Sequence, residues 1–390
     1  MREAVIVEAV RTPVGRKAGR LSGWHPVDLL GEVLKAAVER TGIDPSTVDD
    51  HIAGCVSQTG EQGINIARNA WLSAGLPEEV PSTTIDRQCG SSQQAAHFAA
   101  QGVMAGTYDL VVASGVEHMT RVPMGVTASQ GPGFPFSQQL MDRYEGGLVP
   151  QGVSAEIIAE RWGLSREELD GFGLRSHRRA AAAIDDGRFH REILPIKVEG
   201  QDGSELFEHD EGVRRETSLE KMATLPTPFK EDGVVTAGNS SQISDGAGAV
   251  VITHPERARE LGLRPRARLH SFALAGVDPI VMLTGVIPAT RKVLDRAGLT
   301  LEDIEVVEIN EAFASVVLAW KKELDIPDNW FEEHVNPNGG AIAVGHPLGA
   351  SGARLMTSLL HELERREARF GLQVMCEGGG MANATVLERL

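Results

Sequence analysis

The sequence predicts an α/β protein made of two similar halves. Short apolar runs typical of buried strands alternate with helical segments through most of the chain. The segment ERTGIDPSTVDD, which contains Gly42, aligns with DRAGLTLEDIEV, which contains Gly298. The same offset places Gly345 opposite Cys89, each just before a helix-compatible run. This self-similarity indicates a duplicated α/β unit.

The N-terminal element is predicted to be a buried strand. Ala4–Val10 is a short apolar run, and the Arg-Thr-Pro that follows ends it. A helix is predicted over Pro26–Thr41, because apolar residues recur there at helical spacing and Gly42 provides a stop. Ile52–Val56 is predicted to be the second strand, with Cys55 as a small buried residue.

The segment around Cys89 is predicted to run from strand to turn to helix. Ile66–Gly75 is a short helix, and Ser82–Ile85 is a strand that leads into Cys89. The alanine-rich segment Gly90–Met104 is helical. Leu110–Ala113 is another buried strand, closed by the sequence SGVEHM.

A long insertion is predicted between Thr120 and Ser241. Glycine, proline and charged residues become common there, and Glu156–Arg179 is a polar stretch compatible with a helix. Core-like sequence resumes at Gly248–His254. The insertion therefore separates two parts of one core.

Composition excludes several classes of function. The net charge of −16 disfavours nonspecific binding to nucleic acid or to an anionic membrane surface. We find neither a signal-like N-terminus nor a run of 18 apolar residues, which predicts a cytoplasmic protein. Three cysteines without paired spacing indicate free thiols in a reducing compartment, and no metal site is predicted.

Cys89 is the first candidate for covalent chemistry. It lies at the start of a predicted helix, so the helix dipole is expected to lower the pKa of its thiol. A thiolate there can attack acyl groups, and Gly90 with two following serines leaves room for a substrate. Helix N–H groups can also bind an oxyanion. The alternative is a structural cysteine that caps a buried helix.

His346 and Cys376 lie on two glycine-rich stretches. His346 lies between Gly345 and Pro347 in NPNGGAIAVGHPLGASGAR, where it could face Cys89 as a base. The alternative is an incidental histidine on a flexible connection. Cys376 is followed by a glutamate and three glycines, which let backbone approach closely. Two thiols and a histidine suggest acyl transfer with a separate nucleophile and proton shuttle.

Five motifs in order resemble the thiolase family over essentially the whole chain: DRQCGSSQQAA, GNSSQISDGAGA, NEAFA, NPNGGAIAVGHPLGASGAR and CEGGGMANA. The resemblance implies two βαβαβαββ halves in a five-layer α-β-α-β-α sandwich with an inserted loop domain. It places the N-terminal half at residues 1–119 plus 242–270. The loop domain is then residues 120–241, and the C-terminal half is residues 271–390.

The resemblance also implies a role for each site residue. Cys89 forms the acyl-enzyme and His346 activates it, while Cys376 is acid and base toward the α-carbon of the second substrate. Asn310 holds a water that completes one oxyanion hole with His346. The backbone N–H groups of Cys89 and Gly378 form the other.

The substrates implied are coenzyme A and acyl-CoA, with no bound cofactor. Ser241 and the segment Gly152–Glu156 match family segments near the pantetheine arm, and Arg214 is a weaker candidate for the nucleotide phosphate. The implied partner is a second copy of the chain, in a homodimer or homotetramer. The implied reaction is CoA-dependent cleavage of 3-oxoacyl-CoA, or the reverse condensation.

Departures from the family pattern bear on the substrate. Acetoacetyl-specialised members resemble one another in a His-Met-Gly, where this chain has Pro150-Gln151-Gly152. This difference favours a degradative thiolase for longer or bulkier chains, with an acetoacetyl-CoA-forming enzyme of biosynthetic type as the alternative. A condensing enzyme of the same fold would lack Cys376. A non-catalytic relative would lack one of the three chemical residues. Ala382 replaces a common glycine, which should be tolerated.

Overall fold

The computed structural model describes residues 2–200 and 203–390. Its strands are β1 Val5–Arg11, β2 Gly15–Arg16, β3 Asp50–Gly54, β4 Ser82–Ile85, β5 Leu110–His118, β6 Ile196–Gly200, β7 Gly203–Phe207, β8 Ser244–Thr253, β9 Ala267–Gly276, β10 Val306–Ile309, β11 Phe370–Glu377 and β12 Met381–Arg389.

The helices alternate with these strands along the chain. They are α1 Pro26–Thr41, α2 Ile66–Ser73, α3 Ser91–Ala105, α4 Val126–Ser129, α5 Gln138–Asp142, α6 Gln151–Arg161, α7 Arg166–Asp185, α8 Leu219–Ala223, α9 Pro255–Glu260, α10 Val286–Ala297, α11 Ala314–Glu323, α12 Asp328–His334 and α13 Ser351–Arg366.

The central sheet has two sections. The strand order is β10-β11-β12-β9-β1-β8-β5-β3-β4, and β2 pairs with β8. The sections meet where β1 and β9 pair, at Val5 with Arg268 and at Ile6 with Ala267. The pairs β3–β5, β3–β4 and β10–β11 are parallel, and the strands beside β1 and β9 are antiparallel.

Helices cover both faces of each section, which produces five layers. α1 and α2 pack on the outer face of the first section, and α10 and α11 on the outer face of the second. α3 and α13 fill the space between them. Side chains of β1 therefore pack on both faces of the sheet: Val5 and Val7 face the outer core, and Ile6 faces the central helices. A strand buried on both faces is apolar throughout.

The predicted repeat has a structural counterpart in the two outer helices. α1 ends at Gly42 with φ +66°, and α10 ends at Gly298 with φ +67°. A left-handed residue at a helix C-terminus lets its N–H satisfy the last carbonyls, and glycine adopts this conformation without strain. A 3₁₀ turn and a parallel strand follow each glycine, so the aligned residues occupy equivalent places.

Two predicted elements need correction. The strand predicted to end at Ala113 continues to His118, and all nine of its residues are buried. Glu117 is tolerated there because its carboxylate accepts hydrogen bonds from the N–H groups of Val56, Ser57 and Gly349. The alternation of apolar and polar residues in a sequence does not show that a buried carboxylate has such hydrogen-bond donors.

The polar stretch Glu156–Arg179 belongs to two helices rather than one. α6 ends at Arg161, and α7 begins after Ser165, which forms a capping box with Glu168. The inserted segment also carries the β6–β7 hairpin. The domain boundary predicted at residue 270 falls inside β9, and the division into three domains stays a prediction.

Candidate active site

Cys89 lies in the turn between β4 and α3, and its side chain is only 3% exposed. The preceding residue, Gln88, has φ +48°, a left-handed conformation that is uncommon outside glycine and that clusters at functional sites. Glycine is favoured directly after Cys89, because a Cβ at Gly90 would lie 1.9 Å from Glu377 Oε1 and 2.7 Å from Asn383 Nδ2, both on buried side chains. This turn presents Cys89 toward the second half of the protein.

The prediction that the helix dipole lowers the Cys89 pKa is wrong. Burial raises the pKa of the Cys89 thiol well above its usual range, and the neighbouring Cys376 and Glu377 raise it further. Desolvation of a fully buried thiolate outweighs the partial charge of one helix end. The resting thiol is therefore protonated, and a base must take its proton before attack.

His346 precedes α13 by five residues, and the 3₁₀ turn Leu348–Ala350 lies between them. Gly345 has φ +114°, and a Cβ there would lie 2.6 Å from Ser244 Oγ. The backbone N–H of His346 donates to this same Ser244 Oγ at 3.1 Å. The glycine therefore allows a close backbone approach that holds the histidine.

Hydrogen bonds fix the tautomer of His346. Its Nδ1 lies 2.6 Å from Ser351 Oγ, and that hydroxyl donates to the carbonyl of Pro347 at 2.8 Å. Because the hydroxyl proton is already used, Nδ1 carries the hydrogen and donates it. Nε2 is then unprotonated, and it has no hydrogen-bond partner among the described residues. Burial, and next the Arg354 charge, lower the His346 pKa to about 3, so the imidazole is a neutral base.

The helices that follow Cys89 and His346 meet in the central layer. A Cβ at Gly352 in α13 would lie 2.2 Å from the backbone nitrogen of Gln93 in α3, so glycine is required for this approach. Cys89 shares one buried cluster with Leu348 and Met375. This cluster brings together the two glycine-rich stretches that the sequence singled out.

Cys376 and Asn310 are brought together by adjacent parallel strands. Ile309 of β10 pairs with Val374 of β11, so the residues that follow them are neighbours. Asn310 Nδ2 lies 3.7 Å from Cys376 Sγ. Burial raises the Cys376 pKa to about 11, although the Asn310 hydrogen bond opposes this effect. Within the described chain, Asn310 Oδ1 has no partner, which fits the predicted binding of a water.

Gly378 lies in the turn between β11 and β12, and it is buried. In the part of the chain that the structure describes, neither the Gly378 N–H nor the Cys89 N–H donates to a backbone carbonyl. Both groups are therefore candidates to bind an oxyanion. The roles predicted for Cys89, His346, Cys376 and Asn310 in catalysis, and for Gly378 in the oxyanion hole, stay predictions.

Ser241 and Arg214 line one cavity of about 520 Å³, together with Arg16 and Lys17. Gly152 does not line it. A Cβ at Gly152 would lie 2.2 Å from the Phe229 ring, which covers this position. A groove of about 640 Å³ between α7 and α11 contains none of the predicted site residues.

Sequence reasoning missed the residues that hold the candidate base. Ser351 and Ser244 orient His346, but neither lies at a spacing that indicates contact. It also missed Gln88, whose left-handed backbone has no signature in the sequence.

In the described residues no cluster of three or more His, Cys, Asp or Glu could hold a metal ion. No described helix is long and apolar enough to cross a membrane.

Two sequence models of known domains together match nearly the whole chain. Residues 4–256 match the model described as "Thiolase, N-terminal domain", and residues 263–389 match "Thiolase, C-terminal domain". The chain belongs to the thiolase family. It is 52% identical over 396 residues to the steroid 3-ketoacyl-CoA thiolase of Mycobacterium tuberculosis, covering 100% of this thiolase and 95% of that protein.

Solved structures show the same fold. The Bacillus anthracis acetyl-CoA acetyltransferase superposes with a TM-score of 0.90 at 39% identity, and the human mitochondrial 3-ketoacyl-CoA thiolase with 0.91 at 37% identity. Each alignment covers 100% of this thiolase and 99% of the other chain. The predicted family, the predicted thiolase fold and the predicted acyltransferase activity are confirmed.

Proposed function

We propose that this thiolase cleaves 3-oxoacyl-CoA with coenzyme A to give acetyl-CoA and a shortened acyl-CoA, and that it catalyses the reverse Claisen condensation. The observation that carries the proposal is the neutral, buried His346. Its unprotonated Nε2 has no partner among the described residues, and two protonated thiols are buried in the same region. A base without a partner beside protonated nucleophiles is suited to proton transfer.

The first half of the reaction breaks a carbon–carbon bond. His346 Nε2 takes the Cys89 proton, and the Cys89 sulfur attacks the C3 carbonyl of the substrate. The C2–C3 bond breaks, the shortened acyl group stays on Cys89, and the electron pair leaves with C2. Cys376 donates its proton to C2, which releases acetyl-CoA. Asn310 Nδ2, at 3.7 Å from Cys376 Sγ, helps to stabilise the thiolate that remains.

The second half transfers the acyl group to coenzyme A. The Cys376 thiolate takes the proton of the incoming CoA thiol, whose sulfur attacks the acyl-Cys89 thioester. The Cys89 sulfur leaves and recovers the proton that His346 holds. Negative charge develops on the carbonyl oxygen in both halves. The N–H groups of Cys89 and Gly378 are candidates to stabilise this oxygen, which stays on the acyl group in both halves. The Asn310 region is a candidate to stabilise the charge on the thioester oxygen of acetyl-CoA when the C2–C3 bond breaks.

A degradative role, with 3-oxoacyl chains longer than acetoacetyl, has support from two observations. Relatives named 3-ketoacyl-CoA thiolase cover the whole chain, and Gln151 stands where acetoacetyl-specialised members have methionine. The test is CoA-dependent cleavage of a chain-length series of 3-oxoacyl-CoA substrates. We expect the longer substrates to be cleaved more efficiently than acetoacetyl-CoA. Cleavage of acetoacetyl-CoA alone would favour the biosynthetic alternative.

The cavity shared by Ser241 and Arg214 is the proposed coenzyme A site. Three basic residues, Arg16, Lys17 and Arg214, line it, and cations there suit the phosphates of coenzyme A. Arg214→Ala is expected to raise the KM for coenzyme A by about tenfold while leaving kcat within about twofold. Arg215→Ala is the matched control, because Arg215 pairs with Asp185 outside this cavity. An unchanged KM in the Arg214 variant would contradict the assignment.

The proposed assembly is a homodimer or a dimer of dimers. β4 is the last strand of the first sheet section, and a free strand edge offers unpaired N–H and C=O groups to a second chain. Ile64 is 94% exposed, and the next residue, Asn65, donates a side-chain hydrogen bond to the carbonyl of Ser82 in β4. Light scattering after size exclusion is expected to give at least twice the chain mass of 41.8 kDa. A monomer would contradict this proposal.

The proposed location is the cytoplasm. All three cysteines are free, although Cys89 and Cys376 are buried in one site, and free thiols are the rule in a reducing compartment. Fractionation of cells that express the protein tests the proposal. Recovery with the periplasmic or extracellular fraction would contradict it.

A further inference from the structure

Two glutamine side chains converge on Gly378, two residues after Cys376. A Cβ added at Gly378 would lie 2.9 Å from Gln151 Nε2 and 3.1 Å from Gln88 Oε1. Gln151 begins α6, whereas Gln88 directly precedes Cys89, so distant parts of the chain supply the two carboxamides. Both side chains are half-buried, so they border accessible space beside the thiols.

The Oε1 atom of Gln88 and the Nε2 atom of Gln151 point toward that space. Gln88 Nε2 approaches both carboxylate oxygens of Asp86 at 3.4 Å, near the upper limit for a hydrogen bond. This contact orients Gln88 Oε1 toward Gly378. Gln151 presents its Nε2 to the same glycine, and an amide N–H there can donate only to an acceptor.

Two phenylalanine rings lie close to Gln151 in the structure. The Phe229 ring covers Gly152, and it packs edge-on against Phe313 with ring centroids 6.1 Å apart. Phe229 remains 40% exposed. Phe313 follows Ala312, whose backbone N–H approaches Cys376 Sγ. A substrate chain that reaches the thiols would therefore contact rings along its length and carboxamides near Gly378.

The charges near Gln88 disfavour an anionic chain. Glu377, which is buried next to Cys376, is mainly protonated at neutral pH because burial raises its pKa to about 8. The carboxylate of Asp86 touches Gln88. Arg87 is the basic residue between them, and its Nη1 lies against the Met381 sulfur at 3.9 Å. A carboxylate placed beside Gln88 would meet another carboxylate, whereas a neutral oxygen would not.

We propose that Gln151 forms a polar subsite for the acyl group carried on Cys89, with its Nε2 as the hydrogen-bond donor. The subsite selects chains that bear a neutral hydrogen-bond-accepting oxygen, such as a ketone, over plain alkyl chains and over carboxylates. This inference rests on the proposed function, because it concerns the acyl group that Cys89 holds. It assigns a specificity role to one residue outside the predicted catalytic set.

Three five-carbon acyl-CoA substrates of matched length test the subsite: pentanoyl-CoA, 4-oxopentanoyl-CoA and glutaryl-CoA. In each reaction the Cys89 sulfur forms a thioester with the acyl carbon and the bond between that carbon and the CoA sulfur breaks. CoA leaves as its thiol after it takes the proton of Cys376, and His346 keeps the proton that it took from Cys89. The rate of acyl-enzyme formation is measured by intact mass on the full chain, under single-turnover conditions.

The wild-type protein is expected to acylate from 4-oxopentanoyl-CoA about tenfold faster than from pentanoyl-CoA, with glutaryl-CoA slowest. Gln151→Met removes the amide at nearly constant size and is expected to reduce this preference to about twofold. Gln88→Met removes an acceptor rather than a donor and is expected to keep the preference for 4-oxopentanoyl-CoA over pentanoyl-CoA. Gln101→Met is the control, because Gln101 is exposed at the far end of α3, and it is expected to keep the wild-type ratios.

The ratios of acylation rates among the three substrates, measured within one variant, distinguish failure of the subsite from failure of the proposed function. A preference for 4-oxopentanoyl-CoA that survives in Gln151→Met would overturn the subsite and leave the thiolase function intact. A wild-type protein that prefers pentanoyl-CoA or glutaryl-CoA would do the same. Absence of any acyl-enzyme from all three substrates would contradict the proposed function, and the subsite with it. Pentanoyl transfer at a wild-type rate shows that each variant is folded.

Discussion

Cys376→Ser and Cys89→Ser are expected to be inactive in the full reaction yet to differ in the half reaction. Cys376→Ser should still form the acyl-enzyme from acetyl-CoA, because Cys89 and His346 remain. It should lose exchange of the α-protons of acetyl-CoA by on the order of 100- to 10,000-fold, since a serine hydroxyl is far less acidic than a thiol. Cys89→Ser should lose the covalent intermediate, because an unactivated hydroxyl is a poor nucleophile toward a thioester.

Two measurements on both variants distinguish these roles. Intact mass reports the acyl-enzyme, and solvent deuterium uptake into acetyl-CoA reports the proton shuttle. Cys55→Ser is the control, because Cys55 is buried in the outer core of the first half rather than in the cluster around Cys89. Deuterium exchange at the wild-type rate in Cys376→Ser would show that another group is the base.

His346→Ala is expected to slow acylation of Cys89 by on the order of 100- to 10,000-fold. The effect is large because burial raises the pKa of the Cys89 thiol, so that almost no thiolate forms without a base. Coenzyme A affinity should stay within about twofold, since the cavity lined by Arg214 does not include His346. Acyl formation by intact mass and CoA binding by calorimetry provide the two readouts.

The pH dependence of wild-type acylation adds a second readout for this residue. The imidazole of His346 becomes charged only below about pH 3, because burial holds its pKa there. Its basic form is therefore present throughout the neutral range, and lowering the pH from about 8 to about 6 should not remove it. His209→Ala, at a half-exposed position in the insertion, is the matched control. Near-normal acylation in His346→Ala would leave the histidine with a structural role.

The elements that local chemistry determines were predictable from the sequence. α1 has the predicted bounds because Pro26 fits the first helical turn and Gly42 adopts the left-handed end. The strand before Cys89 was also predicted with its observed ends, Ser82 and Ile85. The five motifs identified the family, since their order along the chain is specific.

Properties that depend on tertiary burial were not predictable. The dipole argument for Cys89 failed because a sequence does not show that the thiol is fully buried next to Cys376. The tautomer of His346 depends on Ser351, whose hydroxyl donates to the carbonyl of Pro347 only once the chain is folded. The convergence of Gln151 on Gly378 likewise joins segments that no local pattern connects.

The central claim is that Cys89 carries the acyl group while His346 serves as its base. Incubation of the full-length protein with acetyl-CoA, followed by proteolysis and mass spectrometry of the modified peptide, tests it most directly. We predict one acetyl group on Cys89, with Cys376 unmodified. An acetyl group on Cys376 with Cys89 unmodified would contradict the account.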